Sequence, residues 1–328
     1  MVTVMNEHAR RYAGIKALVT GGAGFIGSHV ADTLIEAGAQ VTIVDNLATG
    51  FREFLNPKAS FVELDLLNAD ALRDVMRGQE IVFHLAANAD IKDGLSHPRK
   101  DIEQNVIATQ NVLEAMRANG VDKIAFSSTG SVYGDASVFP TPEDAPFPVQ
   151  TSLYAASKVC GEGLLSAYAE GYGFTAWIFR FVSILGPRYT HGHVFDFWRR
   201  LKEDPSKLHI LGNGKQLKSY CHVSDCVNAI LTTLAKADPA KRVHIHNIGR
   251  PDMLEVNQSV AWICEELGVS PTFSYSGGER GWVGDSPKIL LDTAKLESLG
   301  WSPTLSLQES VLDTLRWLEK NPFVARRT

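Results

Sequence analysis

The chain predicts an α/β protein: a doubly wound parallel sheet joined to a smaller α/β lobe. Three observations carry that prediction. Strand-length apolar runs alternate with helical stretches from residue 15 to about residue 181. A βαβ rhythm of this kind sets a parallel sheet under helices on both faces. A glycine-rich turn, "TGGAGFIGSH", joins the first strand to the first helix. Beyond residue 181 the rhythm weakens into loops rich in Gly, Pro and His, such as "LGPRYTHGH" and "SYSGGERGWVGDSP". Loops carried on a scaffold are where binding groups gather. The boundaries expected are 14–181 plus about 216–248 for the sheet domain, and about 182–215 plus 249–328 for the second lobe. With no repeat, low-complexity tract or long linker, the two should pack as one unit.

Taken in order, "KALVTGG" is a buried strand entering the turn and "SHVADTLIEAG" a helix ending on Gly38. "QVTIVDN" is the next strand, "ADALRDVMRG" a helix, and "EIVFHLAA" another strand. "IEQNVIATQNVLEAMRANG" (helix), "KIAFSS" (strand) and "YAASKVCGEGLLSAYAEGYG" (helix) follow.

Composition excludes several classes. Hydrophobic residues make up 45% and charged residues 21%, with net charge −5. A nucleic-acid binder would show a basic stripe, and none is present. No apolar run reaches the ~18 residues of a membrane span. Residues 1–13 lack the apolar core of a signal peptide. The cysteines, Cys160, Cys221, Cys226 and Cys264, have no C-x-x-C or Cys/His metal spacing, so reduced thiols in a cytosolic protein are expected.

Gly21, Gly24 and Gly27 stand at G-x-x-G-x-x-G spacing between strand and helix. Glycine allows the tight turn and close approach of backbone to phosphate, while the helix amino terminus faces the anion. A ligand-free βα turn could carry the same glycines, but this context points to a pyrophosphate site. Asp45 ends the next strand about twenty residues on. A carboxylate there accepts from ribose hydroxyls and repels a 2′-phosphate, which favours NAD over NADP. Asp65 is placed to reach the adenine.

"SLYAASKVCGEG" sets Tyr154 and Lys158 one helical turn apart on one face. An ammonium beside a phenol stabilises the phenolate and lowers its pKa from near 10. Such a tyrosine can take a proton from a sugar hydroxyl and return it. Lys158 could also hold a nicotinamide ribose.

With these motifs in view, the chain resembles the extended short-chain dehydrogenases/reductases, in the branch of NAD-dependent nucleotide-sugar epimerases and dehydratases. The resemblance is carried by "TGGAGFIGSH", "VDN", "VFHLAA", "NVIATQNVLEA", "SSTGSVYGD", "YAASK" and "GNGKQLKSYCHVSD", which run through most of the chain. It implies a Rossmann domain with tightly held NAD and a carboxyl-terminal lobe for a nucleotide sugar. It also implies a homodimer, in which the helices at "IEQNVIATQNVLEAMRA" and "YAASKVCGEGLLSAYAEG" pair across a two-fold axis. Neither nucleic acid nor membrane is implied as a partner. For the cofactor, the resemblance implies Gly21, Gly24, Phe25, Ile26, Gly27, Asp45, Asn46, Asp65, Leu66, Leu85, Ala86, Ala87, Asn105, Ser127, Tyr154, Lys158 and Phe181; His84 is expected to line it too.

Thr129, at the strand end, corresponds to the hydroxyl that holds the reacting sugar oxygen beside the tyrosine. Similar 4,6-dehydratases follow it with Asp-Glu, and related decarboxylating enzymes tend to carry Glu there. This chain has Gly130-Ser131. Neither is a general acid or base at neutral pH, which leaves reversible oxidation at a sugar carbon, with Tyr154, Lys158 and Thr129 as catalytic residues.

For the substrate, Lys218 stands where the family usually has Arg, and keeps charge without the bidentate fork. Ser183 stands where the family has Asn. Arg280 resembles a diphosphate-binding Arg, with Asp285 as a ribose or loop-ordering partner. His193, Val194 and Tyr220 complete the expected substrate residues; His191 and His193 lack the carboxylate or Cys spacing of a metal site. His244 and His246 alternate on "RVHIHNIG" and read as structural.

The first expectation is a nucleotide-sugar 4-epimerase, most like those interconverting UDP-glucose and UDP-galactose. A second is an epimerase or 4-keto reductase for a GDP-, CDP- or dTDP-sugar. A third is an idle NAD-binding regulatory protein, which the fold also permits.

Overall fold

The computed structural model describes residues 7–88, 93–282 and 288–327. Six strands build the first part of the sheet: β1 Lys16–Thr20, β2 Gln40–Asp45, β3 Ser60–Glu63, β4 Ile81–His84, β5 Lys123–Thr129 and β6 Thr175–Phe181. Strand Val243–Ile248 completes it. The order is β3-β2-β1-β4-β5-β6 and then Val243–Ile248, all parallel. The chain winds outward from β1 to β3, then returns beside β1 as β4. That reversal opens a crevice at the carboxyl ends of β1 and β4, where ligands of doubly wound sheets bind.

The helices are α1 Phe25–Glu36, α2 Ala69–Val75, α3 Pro98–Asp101, α4 Ala108–Asn119, α5 Leu153–Tyr172, α6 His193–Glu203 and α7 Val223–Lys236; α1, α2, α4, α5 and α7 cover the two faces of the sheet. Successive strand residues point to opposite faces. Thus Ala17 and Val19 pack with Val30 and Leu34 of α1 and Ile230 of α7. Leu18 packs on the other side with Leu72, Val112, Leu113 and Leu165. Each such fully buried Val or Leu contributes about 1.5–3 kcal/mol. Ser152 caps α5 by accepting from the Ala155 amide at 3.1 Å, and Gly173 ends it in the left-handed region.

The expected order of elements is found, with refinements. The long helix predicted over 102–120 begins as a π-helical turn, Ile102–Ile107, between α3 and α4. Strand β3 was not foreseen: it is a four-residue edge strand with no fully buried residue, so it shows little periodicity. His244 and His246 lie buried on strand Val243–Ile248, as expected, and His244 stacks on Trp177.

The second lobe joins α6 and helices Val256–Leu267 and Leu307–Lys320 to short strands. Its core includes Phe195, Trp198, Ile263 and Leu315, but also Phe51 and Phe54 from the segment after β2. Phe51 lies 5.9 Å from Phe323, and Phe54 lies 5.8 Å from Trp317, ring centre to ring centre.

Candidate active site

The site begins at the turn between β1 and α1. Gly21 has φ +71°, and a Cβ there would lie 2.6 Å from the Ala86 amide. A Cβ on Gly27 would run into the Gly21 carbonyl. Gly24 caps α1 with no side-chain hydrogen bond, so no side chain covers the first-turn amides. A bare cradle backed by a helix amino terminus suits a pyrophosphate.

Asp45 is buried behind this turn. One carboxylate oxygen accepts from the Ala23 amide at 3.0 Å and the other from Leu47 at 2.8 Å. Asn46 donates to Asp65 at 2.9 Å, and Gln104 reaches the same oxygen at 3.4 Å. Burial raises the Asp65 pKa, but the Leu67 amide, Asn46 and Gln104 together hold it below its ordinary value. Leu66 is buried and its carbonyl accepts from Asn111. Phe25 and Ile26 sit at the start of α1; Phe25 meets Tyr189 edge to face at 5.6 Å.

Leu85, Ala86 and Ala87 follow β4 along the crevice, half-buried. Two neighbours expected beside them turn inward instead. His84 is fully buried between Thr20 and Thr109 and does not line the crevice. Asn105 is also buried; it accepts from the Asn88 amide at 2.8 Å and donates to Ser157 of α5 at 2.8 Å. The polar ring and the amide find their partners inside, which is why they leave the rim.

Tyr154 and Lys158 lie one turn apart on α5, with Thr129 facing them at the end of β5. Lys158 is buried, donates to the Ser127 carbonyl at 2.7 Å and lies 4.8 Å over the Phe126 ring. Burial pushes its pKa down to about 7, against the upward pull of Glu162 and Asp101. The Tyr154 pKa is raised to about 12, by burial first; a hydrogen bond with Thr129 lowers it and Asp101 raises it. The expected lowering of the phenol by Lys158 is therefore not found. The ammonium is turned to the Ser127 carbonyl, and burial outweighs what remains. Thr129 also accepts from the Ser131 amide at 3.1 Å and donates to the Ser131 hydroxyl at 3.2 Å.

One part of the site was missed in the sequence. Glu162, one turn beyond Lys158, forms a two-pronged ion pair with Arg180 of β6, at 3.0 and 2.7 Å, both side chains buried. Ser128 donates to Glu162, and Arg180 donates to the Tyr133 hydroxyl at 2.7 Å. Tyr133 in turn donates to Asn247 at 2.8 Å. This network grips the chain on both sides of Thr129. The only sequence signal is the spacing Tyr154, Lys158, Glu162 on one helical face.

The expected nucleotide-facing residues are more scattered. Phe181 is buried in the core beside Phe179. Ser183 is exposed and pairs in register with Tyr220, whose ring lies 4.7 Å from that of His193. His193 bonds Ser259 at 2.9 Å; burial, then Lys218, lower its pKa to about 3. The Val194 side chain is wholly buried in the second core, so only its backbone could meet a ligand. Lys218 lies 4.9 Å over the Trp282 ring. Arg280 reaches across to Asp135, just past Tyr133, at 2.8 Å. Asp285 lies outside the described residues. Among the described residues no group of three His, Cys, Asp or Glu could hold a metal, and no helix is long and apolar enough to cross a membrane.

A doubly wound sheet, a glycine cradle at its switch point and a Tyr–Lys pair on the adjoining helix define a dinucleotide-dependent enzyme. The chain belongs to the NAD-dependent epimerase/dehydratase family, whose model matches residues 17–249. NAD is thus the cofactor, and the bare glycine turn, the uncapped α1 terminus and Asp45 fit it. The chain is similar to a UDP-glucose 4-epimerase from Thermotoga maritima solved with UDP-glucose: 36% identity, TM-score 0.86, covering 94% of this chain and 100% of that one. It is similar to a Thermus thermophilus UDP-glucose 4-epimerase solved with NAD, at 32% identity and TM-score 0.84 over 94% and 100%. A UDP-N-acetyl-α-D-glucosaminuronate decarboxylase from Bacillus cytotoxicus is 30% identical, over 93% of this chain and 98% of that one. The family thus spans more than one reaction.

Proposed function

We propose that this protein is a nucleotide-sugar 4-epimerase interconverting UDP-glucose and UDP-galactose, or a close UDP-sugar, through a transient 4-keto sugar. The observation that carries this reading is the turn after Thr129. Gly130 brings no side chain, and a Cβ there would press on Leu291 and the Phe181 carbonyl. The Ser131 hydroxyl is engaged with Thr129. Nearby Glu162 is committed to Arg180, and Glu143 accepts from the Asn247 amide. Elimination of water or loss of a carboxylate would ask for an acid or base that positions 130 and 131 lack.

When bound, NAD supplies reversible hydride acceptance at the sugar carbon. Thr129 holds the 4-oxygen, and Tyr154 would take its proton and give it back once the charge of bound NAD and the Lys158 ammonium offset the burial that raises its phenol. Lys158, drawn to the Ser127 carbonyl, fixes the α5 face that carries the phenol and offers its ammonium to a ribose. Lys158 is buried behind the half-buried Tyr154, which limits water at that end of the pair. His193, Val194, Lys218, Tyr220, Ser183 and Arg280 are assigned to the nucleotide side, with Asp285. A homodimer belongs to the same reading: Ile102, Ile107 and Leu153 are exposed apolar residues on the helices expected to pair, and a second copy would cover them.

The test is conversion of UDP-galactose without added NAD, followed by NMR, with Tyr154→Phe alongside. Epimerisation by the unaltered protein alone supports the reading. Release of carbon dioxide from a UDP-uronate, or formation of a 6-deoxy-4-keto product, with UDP-galactose left intact, would overturn it.

A further inference from the structure

His84 closes β4 with its ring wholly buried, yet both ring nitrogens are bonded: Nδ1 to Thr20 Oγ1 at 2.7 Å and Nε2 to Thr109 Oγ1 at 3.0 Å. The neighbours fix the direction of each bond. The Thr109 hydroxyl gives its one proton to the Asn105 carbonyl, a helical turn back, at 2.5 Å. It must therefore accept from His84, so Nε2 carries the hydrogen. Nδ1 is then the acceptor, and the Thr20 hydroxyl donates to it. Thr20 Oγ1 in turn accepts from the Ala86 amide at 3.3 Å. Lys158 is the charged group acting on the ring; it and, more strongly, burial keep the imidazole neutral.

The line continues at both ends. Thr20 precedes Gly21, and Ala86 is the residue that Gly21 must approach closely. At the far end Asn105 donates to Ser157, and Ser157 donates to the Tyr154 carbonyl at 2.7 Å. A second branch leaves through the main chain: Ser127 Oγ donates to the His84 carbonyl at 3.3 Å, and the Ser127 carbonyl holds Lys158.

We propose that His84 is a positioning residue: a neutral, Nε2-protonated imidazole that holds the cofactor turn and the Tyr154–Lys158 helix in one register. Its catalytic half rests on the reading of Tyr154 and Lys158 as the reacting pair; its cofactor half rests only on NAD binding. Phenylalanine would fill the space but leave the Thr20 donor and the Thr109 acceptor unmatched. Glutamine keeps one donor and one acceptor.

The experiment compares the NAD-loaded protein with His84→Phe, His84→Gln and a core control, Leu113→Ala, each with its melting temperature measured and each assayed well below it. NAD dissociation is followed by gel filtration and cofactor fluorescence, and the His84 ring by nitrogen-15 NMR. His84→Phe is expected to release NAD about tenfold faster, the order of effect of unmatched buried hydrogen-bonding groups. It should lower kcat by a similar factor at unchanged KM. His84→Gln should recover part of both, and Leu113→Ala should hold NAD despite lower stability. The ring should stay neutral and Nε2-protonated from pH 5 to 8. A charged ring or an Nδ1-protonated one at pH 7 would overturn the proposal. So would equal NAD loss from Leu113→Ala and His84→Phe at matched melting temperature. If His84→Phe does not fold, Thr20→Val and Thr109→Val carry the same expectation of faster NAD release. Should the unaltered protein hold NAD but leave UDP-galactose unchanged, the reaction reading fails, while the NAD and NMR measurements still judge His84.

Discussion

The two halves of the crevice are held in different ways. Around the cofactor turn and α5, polar groups are buried and matched: Thr20, His84, Thr109, Asn105 and Ser157 run in one line, and Glu162 and Arg180 lock the other flank. At the Arg280 rim of the nucleotide side the contacts are open. The Arg280–Asp135 pair leaves side chains 43% and 54% exposed, and Lys218 lies over the Trp282 ring. Breaking a buried match leaves a desolvated group behind, at about 1–3 kcal/mol or more. An exposed ion pair is worth about 0–1 kcal/mol. The cofactor half is therefore set by the fold itself, whereas the exposed Arg280–Asp135 rim can exchange partners at small cost.

That contrast can be broken or sharpened by measurement. The largest effect should come from Tyr154→Phe, which removes the proton carrier and should cut turnover by about 10²–10⁴ while NAD stays bound. Retained turnover would show that another group moves the proton. Next, Glu162→Gln strands the Arg180 charge in the interior and should cost about 3–5 kcal/mol in urea unfolding. An effect as small as that of Arg280→Gln, under about 1 kcal/mol, would erase the distinction between the halves.

The third effect is one of pH. Burial lowers Lys158 from its ordinary 10.5 to about 7, so between those values the native state binds fewer protons than the unfolded chain. Stability should then rise as pH climbs through that window, with the penalty at its fullest below about 7. Lys158→Met should flatten the rise; matching slopes in both proteins would count against a desolvated lysine. The smallest effects belong to the rim. Arg280→Leu should weaken UDP binding by about tenfold. Asp135→Asn, which removes a competing carboxylate, should tighten it by about two- to threefold. UDP affinity indifferent to both changes would remove Arg280 from the nucleotide site.

The sheet and the cofactor turn were legible because their signals are local. Three glycines, a strand before them and a helix after them lie within a dozen residues or so, and Tyr154 and Lys158 share one helical turn. What escaped depends on distance in sequence. Glu162 meets Arg180 through the pairing of α5 with β6, and Tyr133 meets Asn247 across 114 positions. Nothing near His84 in "VFHLAA" says that its ring turns inward, because Thr20 and Thr109 come from other elements. The pKa of Tyr154 was misjudged for a related reason: helical spacing places Lys158 on the right face, but only the fold shows its ammonium bound to Ser127. Edge strand β3 left no periodic trace because water reaches it.

The aromatic cluster after β2 bears on how the molecule could be dissected. Phe51, whose amide bonds the Ala23 carbonyl of the cofactor turn at 2.9 Å, lies against Phe323, and Phe54 lies against Trp317. A fragment stopped at residue 310 would keep the three glycines, Asp45 and the Tyr–Lys pair. It would nonetheless lose the rings on which the loop beside that turn rests. Stickiness and poor cofactor retention in such a fragment would then trace to an unpacked aromatic surface, although no ligand-facing residue had been removed.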